Sequence, residues 1–270
     1  MSNTSNFTDY ELLDFGEGRR IERIKDIIIS RPDNSAIGML EDTRAIDATF
    51  DTTWILNPGV RTTFNLPWED FHFVVELAES KQVGLFPEQE DQWFEFKKMT
   101  EENPNLNVLN LFGYSGVSSI VFAKAGATVT HVDSSSHALS LLEQNEQING
   151  IKNHIRKIKE DVLKFLGREV SRGNFYDVIL ADPPVFGRGE GKSVWRLENN
   201  FEELIDLINK VLSFRPKLIL INVYSDSLKI HHYVDLLKKK FPTKNVKYGE
   251  LALRTATGKK LVTGNYFKIS

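Results

Sequence analysis

Apolar and polar positions along this chain follow two different periods, and the change falls near residue 86. Between residue 9 and about residue 86, short runs of strand type ("YELLDF", "IKDIIIS", "AIDATFD", "FHFVVEL") are broken by Gly, Pro and Asn turns, with little helical period. This predicts a small β-rich domain over residues 1–86. Pro87 suits the first turn of a helix, where its missing amide hydrogen costs nothing. The stretch "PEQEDQWFEFKKMTEEN" therefore predicts a linking helix over 87–105 that stops near Asn103-Pro104. From 106 to 270, strand runs alternate with helical ones, the mark of βαβ units on a parallel sheet.

The alternation can be followed run by run. "LNVLNLF" reads as a buried strand, "SSIVFAKAG" as a short helix closed by Gly126, and "ATVTHVD" as the second strand. "SHALSLLEQNEQING" places Ala138, Leu141, Leu142 and Ile148 at helical spacing and stops at Gly150. "IRKIKED" and "YDVILADPP" are the third and fourth strands, "LENNFEELIDLINKVL" a helix, and "PKLILINV" the fifth strand. "SDSLKIHHYVDLLKKKF" is the last helix, capped by Ser225 or Asp226. "VKYGELALRTATGKKLVTGNYFKI" then breaks the pattern with two strands around a Thr-Gly-Lys turn. The expected fold is α/β: a doubly wound, Rossmann-like sheet that ends in an antiparallel hairpin, preceded by the small β-rich domain.

Composition narrows the chemistry. The 270 residues are 41% hydrophobic and 26% charged, an ordinary soluble globular balance. There is no cysteine, which removes disulfides, thiolate metal sites and a thiol nucleophile. Runs such as "LILINV" are far short of a membrane span, and "MSNTSNFTDY" lacks the order of a signal peptide. A cytoplasmic protein without a membrane partner is expected. The net charge of -3 gives no global basic field, so a nucleic acid would need a local patch. The six histidines include one close pair, His231-His232, on different sides of a helix; they read as structural, and no metal site is expected.

The loop "LFGYSG" sets Gly113 and Gly116 between a strand and a helix, where a tight turn, close ligand approach and free helix amides come together. Asp133 ends the next strand, 20 positions after Gly113 (133 − 113), where an acid accepts from ribose hydroxyls. The dinucleotide pattern G-x-G-x-x-G is absent, so an adenosine-type ligand is favoured over a nicotinamide. Asp161 follows the third strand and Asp182, Pro183 and Pro184 the fourth, at the sheet edge where ligands of open α/β sheets bind. Each acid alone also reads as a helix cap or a solvated loop residue. Together, in register with the glycine loop, they match a site for adenosylmethionine.

Residues 106–270 resemble the class I adenosylmethionine-dependent methyltransferases. The stretches "NLFGYSG", "HVDSS", "ADPPVFGRG" and "GLFPEQ" are similar to those of the branch that holds the large-subunit ribosomal-RNA methyltransferase I type enzymes. The resemblance implies that Phe112, Gly113 and Gly116 shape the pocket for the methionine part, that Asp133 binds the ribose and that Asp161 faces the adenine. It implies further that Gln89 closes over the cofactor, although Gln89 also reads as a surface residue of a first helical turn. Asp182, Pro183 and Pro184 would border the methyl group and the acceptor, with no metal needed.

Two departures bear on the acceptor. Enzymes of this kind that act on exocyclic amines follow the two prolines with an aromatic; here Val185 intervenes and the aromatic is Phe186. Methylation of cytosine carbon 5 is expected to need a cysteine thiolate, which this chain lacks, so a nitrogen, or an oxygen with its own base, is expected instead. "FGRGEGKSVWRLE" carries Phe186, Arg188, Lys192, Trp195 and Arg196, groups suited to phosphates and a stacked base; the other reading is a loop whose Trp packs on the following helix. Further cations stand at Arg254, Lys259 and Lys260 and in "GEGRRIERIK". RNA is the expected acceptor, ribosomal RNA foremost. A protein or small-molecule acceptor and a non-catalytic scaffold are the rivals.

Overall fold

A computed structural model of the protein describes residues 7–78, 80–188, 194–224 and 230–270. The chain resolves into two compact units, Met1–Asp91 with Leu251–Thr263, and Gln92–Glu250 with Gly264–Ser270. The sequence boundaries, 1–86, 87–105 and 106–270, differ from this division chiefly at the C-terminal hairpin.

In the first unit, β1 (Tyr10–Gly16), β2 (Arg19–Ile24), β3 (Ile27–Pro32), β4 (Ala48–Phe50) and β5 (Trp54–Leu56) form a sheet in that order. β6 (Thr63–Trp68) and β7 (Phe71–Glu76) pair separately, from Thr63 against Glu76 to Trp68 against Phe71. β2, β5 and β6 are strands beyond the runs picked out in the sequence. β2 lies within "GEGRRIERIK"; its Arg19 and Arg20 are held within the sheet, while Arg23 is exposed. Arg19 Nε donates to Ser30 Oγ at 2.8 Å, and Arg20 lies buried 3.5 Å from Glu22 and 3.6 Å from Asp33. Glu22 is itself fully buried. Burial would raise its carboxyl, yet Arg20 and Arg31 pull it down to about 2. Trp68, fully buried with its ring centroid 5.3 Å from that of Phe71, anchors the hairpin side of this core.

A 3-10 turn, Pro87–Gln89, leads into α1 (Glu90–Glu102). The second unit continues with β8 (Asn107–Leu111), α2 (Val117–Lys124), β9 (Thr128–Asp133), α3 (Ser136–Ile148), β10 (Ile155–Lys159) and α4 (Val162–Arg172). After these come β11 (Val178–Ala181), the short strands β12 (Phe186–Arg188) and β13 (Val194–Arg196), α5 (Leu197–Lys210), β14 (Leu218–Val223) and α6 (Ile230–Lys240). β15 (Val246–Arg254) and β16 (Lys260–Ile269) close the chain. The predicted caps Ser225 and Asp226 lie outside the described residues. Among the described residues, no helix is long and apolar enough to cross a membrane, and no three His, Asp or Glu side chains converge as a metal site would require.

Among the described residues the main sheet has seven strands in the order β10-β9-β8-β11-β14-β16-β15. The first five are parallel, and β16 runs antiparallel to β14 from Ile219 against Ile269 to Val223 against Asn265. β16 therefore continues past its partner through Lys260–Gly264, which is why the hairpin divides between the two units. The central strands are buried on both faces, so β8, β11 and β14 read as near-continuous apolar runs. Phe165, Leu166, Phe201, Leu204 and Ile205 pack one face. On α1 and α2, Phe96 and Phe122 stack with centroids 4.7 Å apart. Among the described residues, α4 is the helix with no counterpart in the sequence reading, although Asp161, the pattern Val162-Phe165-Leu166 and the left-handed Gly173 mark its start, buried face and stop.

Candidate active site

The chain order β8-β9-β10 runs outward to one side and β11-β14 to the other, so the sheet reverses between β8 and β11, where open α/β sheets hold ligands. Backbone hydrogen bonds tie the strand ends at this edge. The Gly113 N–H donates to the Val132 carbonyl at 3.1 Å, Asp182 N–H to Leu111 at 3.2 Å and Glu160 N–H to Asp133 at 3.1 Å. Phe112, Gly113, Asp133, Glu160 and Asp182 are thus held in one row by main-chain geometry.

Between β8 and α2 the chain turns sharply. Phe112 and Tyr114 have φ of 55° and 49°, a region that costs non-glycine residues about 1–2 kcal/mol each and clusters at functional sites. Asp133 offsets part of that cost. Its Oδ2 accepts from the Tyr114 N–H at 2.9 Å and its Oδ1 from the Ser135 N–H at 2.8 Å. Burial raises the Asp133 carboxyl above its ordinary range, against the lowering effect of these amides.

Beneath the loop lies a polar chain. Asn110 Nδ2 donates to Ser119 Oγ at 2.9 Å, which sits 3.0 Å from His131 Nδ1. His131 is fully buried, and burial draws it down to about 3, so the imidazole is neutral. Asn145 Nδ2 donates to the Ser115 carbonyl at 2.8 Å. A Cβ on Gly113 would lie 2.3 Å from His131 Cε1, and one on Gly116, whose φ is 78°, would lie 2.2 Å from Leu142 Cδ1. At both glycines the missing side chain leaves room for a neighbouring protein side chain. None of Asn110, Ser119, His131 and Asn145 was singled out for the site from the sequence. A polar residue inside "LNVLNLF" and a histidine inside "ATVTHVD" were the available signals.

Asp161 follows β10 by two positions and caps α4, its Oδ1 accepting from the Lys164 N–H at 3.1 Å. Along the Asp-Pro-Pro edge, Asp182 is half-buried, Pro183 buried and Pro184 exposed. The Pro184 carbonyl accepts from Trp195 Nε1 at 2.6 Å, and the Trp195 ring lies 4.9 Å from that of Phe112. Trp195 is only 8% exposed, so the residue expected to contact substrate braces the edge from within. On the same two-stranded ribbon Phe186 is 49% exposed, with the Arg196 guanidinium 5.4 Å from its ring centroid. The Arg188 side chain and Lys192 lie outside the described residues. Gln89 is buried on the 3-10 turn of the first unit.

Residues 106–226 match the family model described as RNA cap guanine-N2 methyltransferase. The chain is similar to the ribosomal RNA large subunit methyltransferase K/L of Desulfotalea psychrophila, 31% identical over 53% of this chain and 19% of that protein. It is similar also to methyltransferase I of Aeromonas hydrophila, 31% identical over 44% of this chain and 30% of that protein. It therefore spans less than a third of the length of these two relatives. A structure from Streptococcus mutans at 15% identity shares the fold, with a TM-score of 0.77 over 99% of this chain and 76% of that one. The crystal structure of a SAM-dependent methyltransferase from Agrobacterium tumefaciens matches at 33% identity and a TM-score of 0.92, covering 98% of this chain and 91% of that chain. Identity of that extent along nearly all of both molecules, on a sheet whose strand ends carry the expected acids, makes this chain a member of the S-adenosylmethionine-dependent methyltransferases.

Proposed function

We propose that the protein transfers a methyl group from S-adenosylmethionine to a nitrogen of an RNA base, ribosomal RNA foremost. The cofactor is tested against the residues first. Asp133 is anchored from behind by two amides and partly desolvated, and its acceptor oxygens suit the two ribose hydroxyls. Asp161 would face the adenine, and Phe112 and the glycine turn would border the methionine part. These acceptors and shapes fit the cofactor. When bound, the cofactor supplies an activated methyl sulfonium.

The observation that carries the reading is the braced Asp182-Pro183-Pro184 edge. The Trp195 indole fixes the Pro184 carbonyl, and the half-buried Asp182 stands at the end of β11. Neither proline has an amide hydrogen, so this backbone offers only acceptors, to which an amine can donate while its lone pair points at the methyl carbon. An amine acceptor would have to give up one proton on methylation, and Asp182, directly after β11, is the carboxylate of this edge that would take it. Most of the rate gain would come from alignment. Phe186, with Arg196 beside it, offers a face for a base to stack on, with Arg188 and Lys192 for phosphates. The absence of cysteine leaves no thiolate for attack on cytosine carbon 6, which favours nitrogen. The similarity to ribosomal RNA methyltransferases supports RNA as the acceptor.

The test is transfer of labelled methyl from adenosylmethionine into cell extract, with and without ribonuclease, and with Asp182→Ala as control. Ribonuclease-sensitive label that depends on Asp182 is the expected result, and nucleoside digestion would then identify the atom. Label in protein or small molecules would overturn the choice of RNA.

A further inference from the structure

The parallel strands of the second unit have another edge, opposite the one that carries the acids, and it gathers exposed aromatics and cations. Main-chain bonds order this edge. The Tyr176 N–H donates to the Val211 carbonyl at 2.9 Å, and the Ser213 N–H to the Tyr176 carbonyl at 2.9 Å. Phe175 and Phe214 flank this pair and are 53% and 96% exposed. The Lys217 N–H donates to the Asp177 carbonyl at 2.7 Å, where β11 and β14 begin. Ile219 pairs with Ile269, so Ser270, bonded twice to Asn245, carries the same row on to the start of β15. Lys247 and Tyr248 follow there, the tyrosine 49% exposed.

Arg215, Lys217 and Lys247 are exposed, and no ion pair holds any of them among the described residues. The acid on the row itself is occupied, since the Asp177 carboxylate accepts from the Asn107 N–H at 3.0 Å. Single exposed apolar residues are ordinary, whereas aromatics gathered among free cations mark a surface that meets something. On a chain of net charge -3 this edge is a local positive region of the kind a polyanion needs.

We propose that this edge is a docking surface for unpaired RNA, with bases stacked on Phe175, Phe214 and Tyr248 and phosphates on Arg215, Lys217 and Lys247. An exposed ring stacks on any base, and cations beside it follow the backbone, which is how single strands are held without sequence reading. An acidic protein would also meet the cations, but a protein interface buries a continuous apolar core, which rings among cations do not supply. The proposal deepens the RNA reading of the active site and rests on it. β14 rises about 20 Å over its six residues, so an RNA that meets both edges must span at least that distance. The substrate class is thus a large RNA with an unpaired segment remote from the target base, rather than a short fragment.

Fluorescence anisotropy of a labelled oligouridylate of about twelve nucleotides, titrated with the full chain, tests the surface apart from methyl transfer. Phe214→Ala should weaken binding about five-fold or more, and Phe214→Trp should keep it. Phe214 is almost fully exposed, so Tm should stay unchanged in both. Lys217→Ala should lower the slope of log affinity against log salt by about 0.7. In methyl transfer to ribosomal RNA, Phe214→Ala should act on KM for the RNA more than on kcat. No binding of the oligouridylate, affinity unchanged in both alanine variants, or displacement by polyglutamate as readily as by RNA would each overturn the proposal. RNA labelled by Phe214→Ala at the wild-type KM would overturn this surface and leave the proposed function standing. Label confined to protein or small molecules would overturn that function, and this surface with it.

Discussion

Gly113→Ala tests whether the glycine loop is shaped by its own protein or by a ligand. The new methyl carbon would stand 2.3 Å from His131 Cε1 and 2.6 Å from Nδ1. Neither side yields cheaply. His131 is fully buried with Nδ1 against Ser119, and the loop is tied to Val132 by the Gly113 amide and to Asp133 by the Tyr114 amide. Gly113 is not among the residues with positive φ, so the cost is steric, not torsional. Overpacking of this kind costs about 1–3 kcal/mol. At about 2–4 °C per kcal/mol for a chain near this size, Tm should fall by roughly 2–12 °C. His131→Ala opens the space the methyl needs, so Gly113→Ala should cost much less in that background, with a coupling of about 0.5–3 kcal/mol. Urea unfolding of the four proteins measures the cycle, and calorimetry with adenosylmethionine measures the site. The double variant should bind the cofactor better than Gly113→Ala alone. Equal cost of Gly113→Ala in both backgrounds would refute the packing argument, and a double variant that regains stability but not binding would return Gly113 to the ligand.

Three further outcomes follow from the same geometry. Asp133→Ala should weaken adenosylmethionine binding about ten-fold or more, the loss expected for hydrogen bonds to a charged acceptor; unchanged affinity in calorimetry would remove Asp133 from the site. Trp195→Phe keeps the ring against Phe112 and deletes the bond to the Pro184 carbonyl, so kcat should fall with little change in Tm, and an unaltered kcat would deny the brace a role. His131 should make stability depend on pH: its folded value is depressed to about 3 from 6.5, so the stabilisation present above pH 6.5 is lost as pH falls toward 3. The unfolded chain takes up the proton first, giving a slope approaching 1.4 kcal/mol per pH unit below 6.5 that His131→Gln should remove from the difference between the two unfolding curves.

The row of acids was legible because strand ends are legible. "HVD" and "ADPP" each follow an apolar run, and a parallel sheet allows such runs few registers, so Asp133 and Asp182 fall at one edge. α4 has an apolar face in Val162, Phe165 and Leu166, but its capping acid, Asp161, also reads as a ligand for the adenine; cap and ligand readings draw on the same carboxylate. β2 was missed for a related reason. "GRRIERI" reads as a cationic surface until the partners of Arg20 and Glu22 are known, and those partners come from β3 and from Asp33, which sequence distance does not reveal.

Trp195 and Gly113 mark a deeper limit. Both are residue types that belong near a ligand, and both also shape the protein itself: the indole holds the Pro184 carbonyl, and the absent side chain leaves room for His131. A strained turn with left-handed Phe112 and Tyr114 needs such support, because nothing in their own side chains favours that backbone. The support is a buried neutral histidine, a serine and an asparagine, which interrupt the apolar pattern of their strands and helix without showing what they bond to. Residues that touch a ligand can be guessed from their chemistry, whereas residues that hold a loop in an unfavourable shape are chosen by the space and donors around it. That is why the acids of this site could be read in the chain and the network beneath them had to be seen.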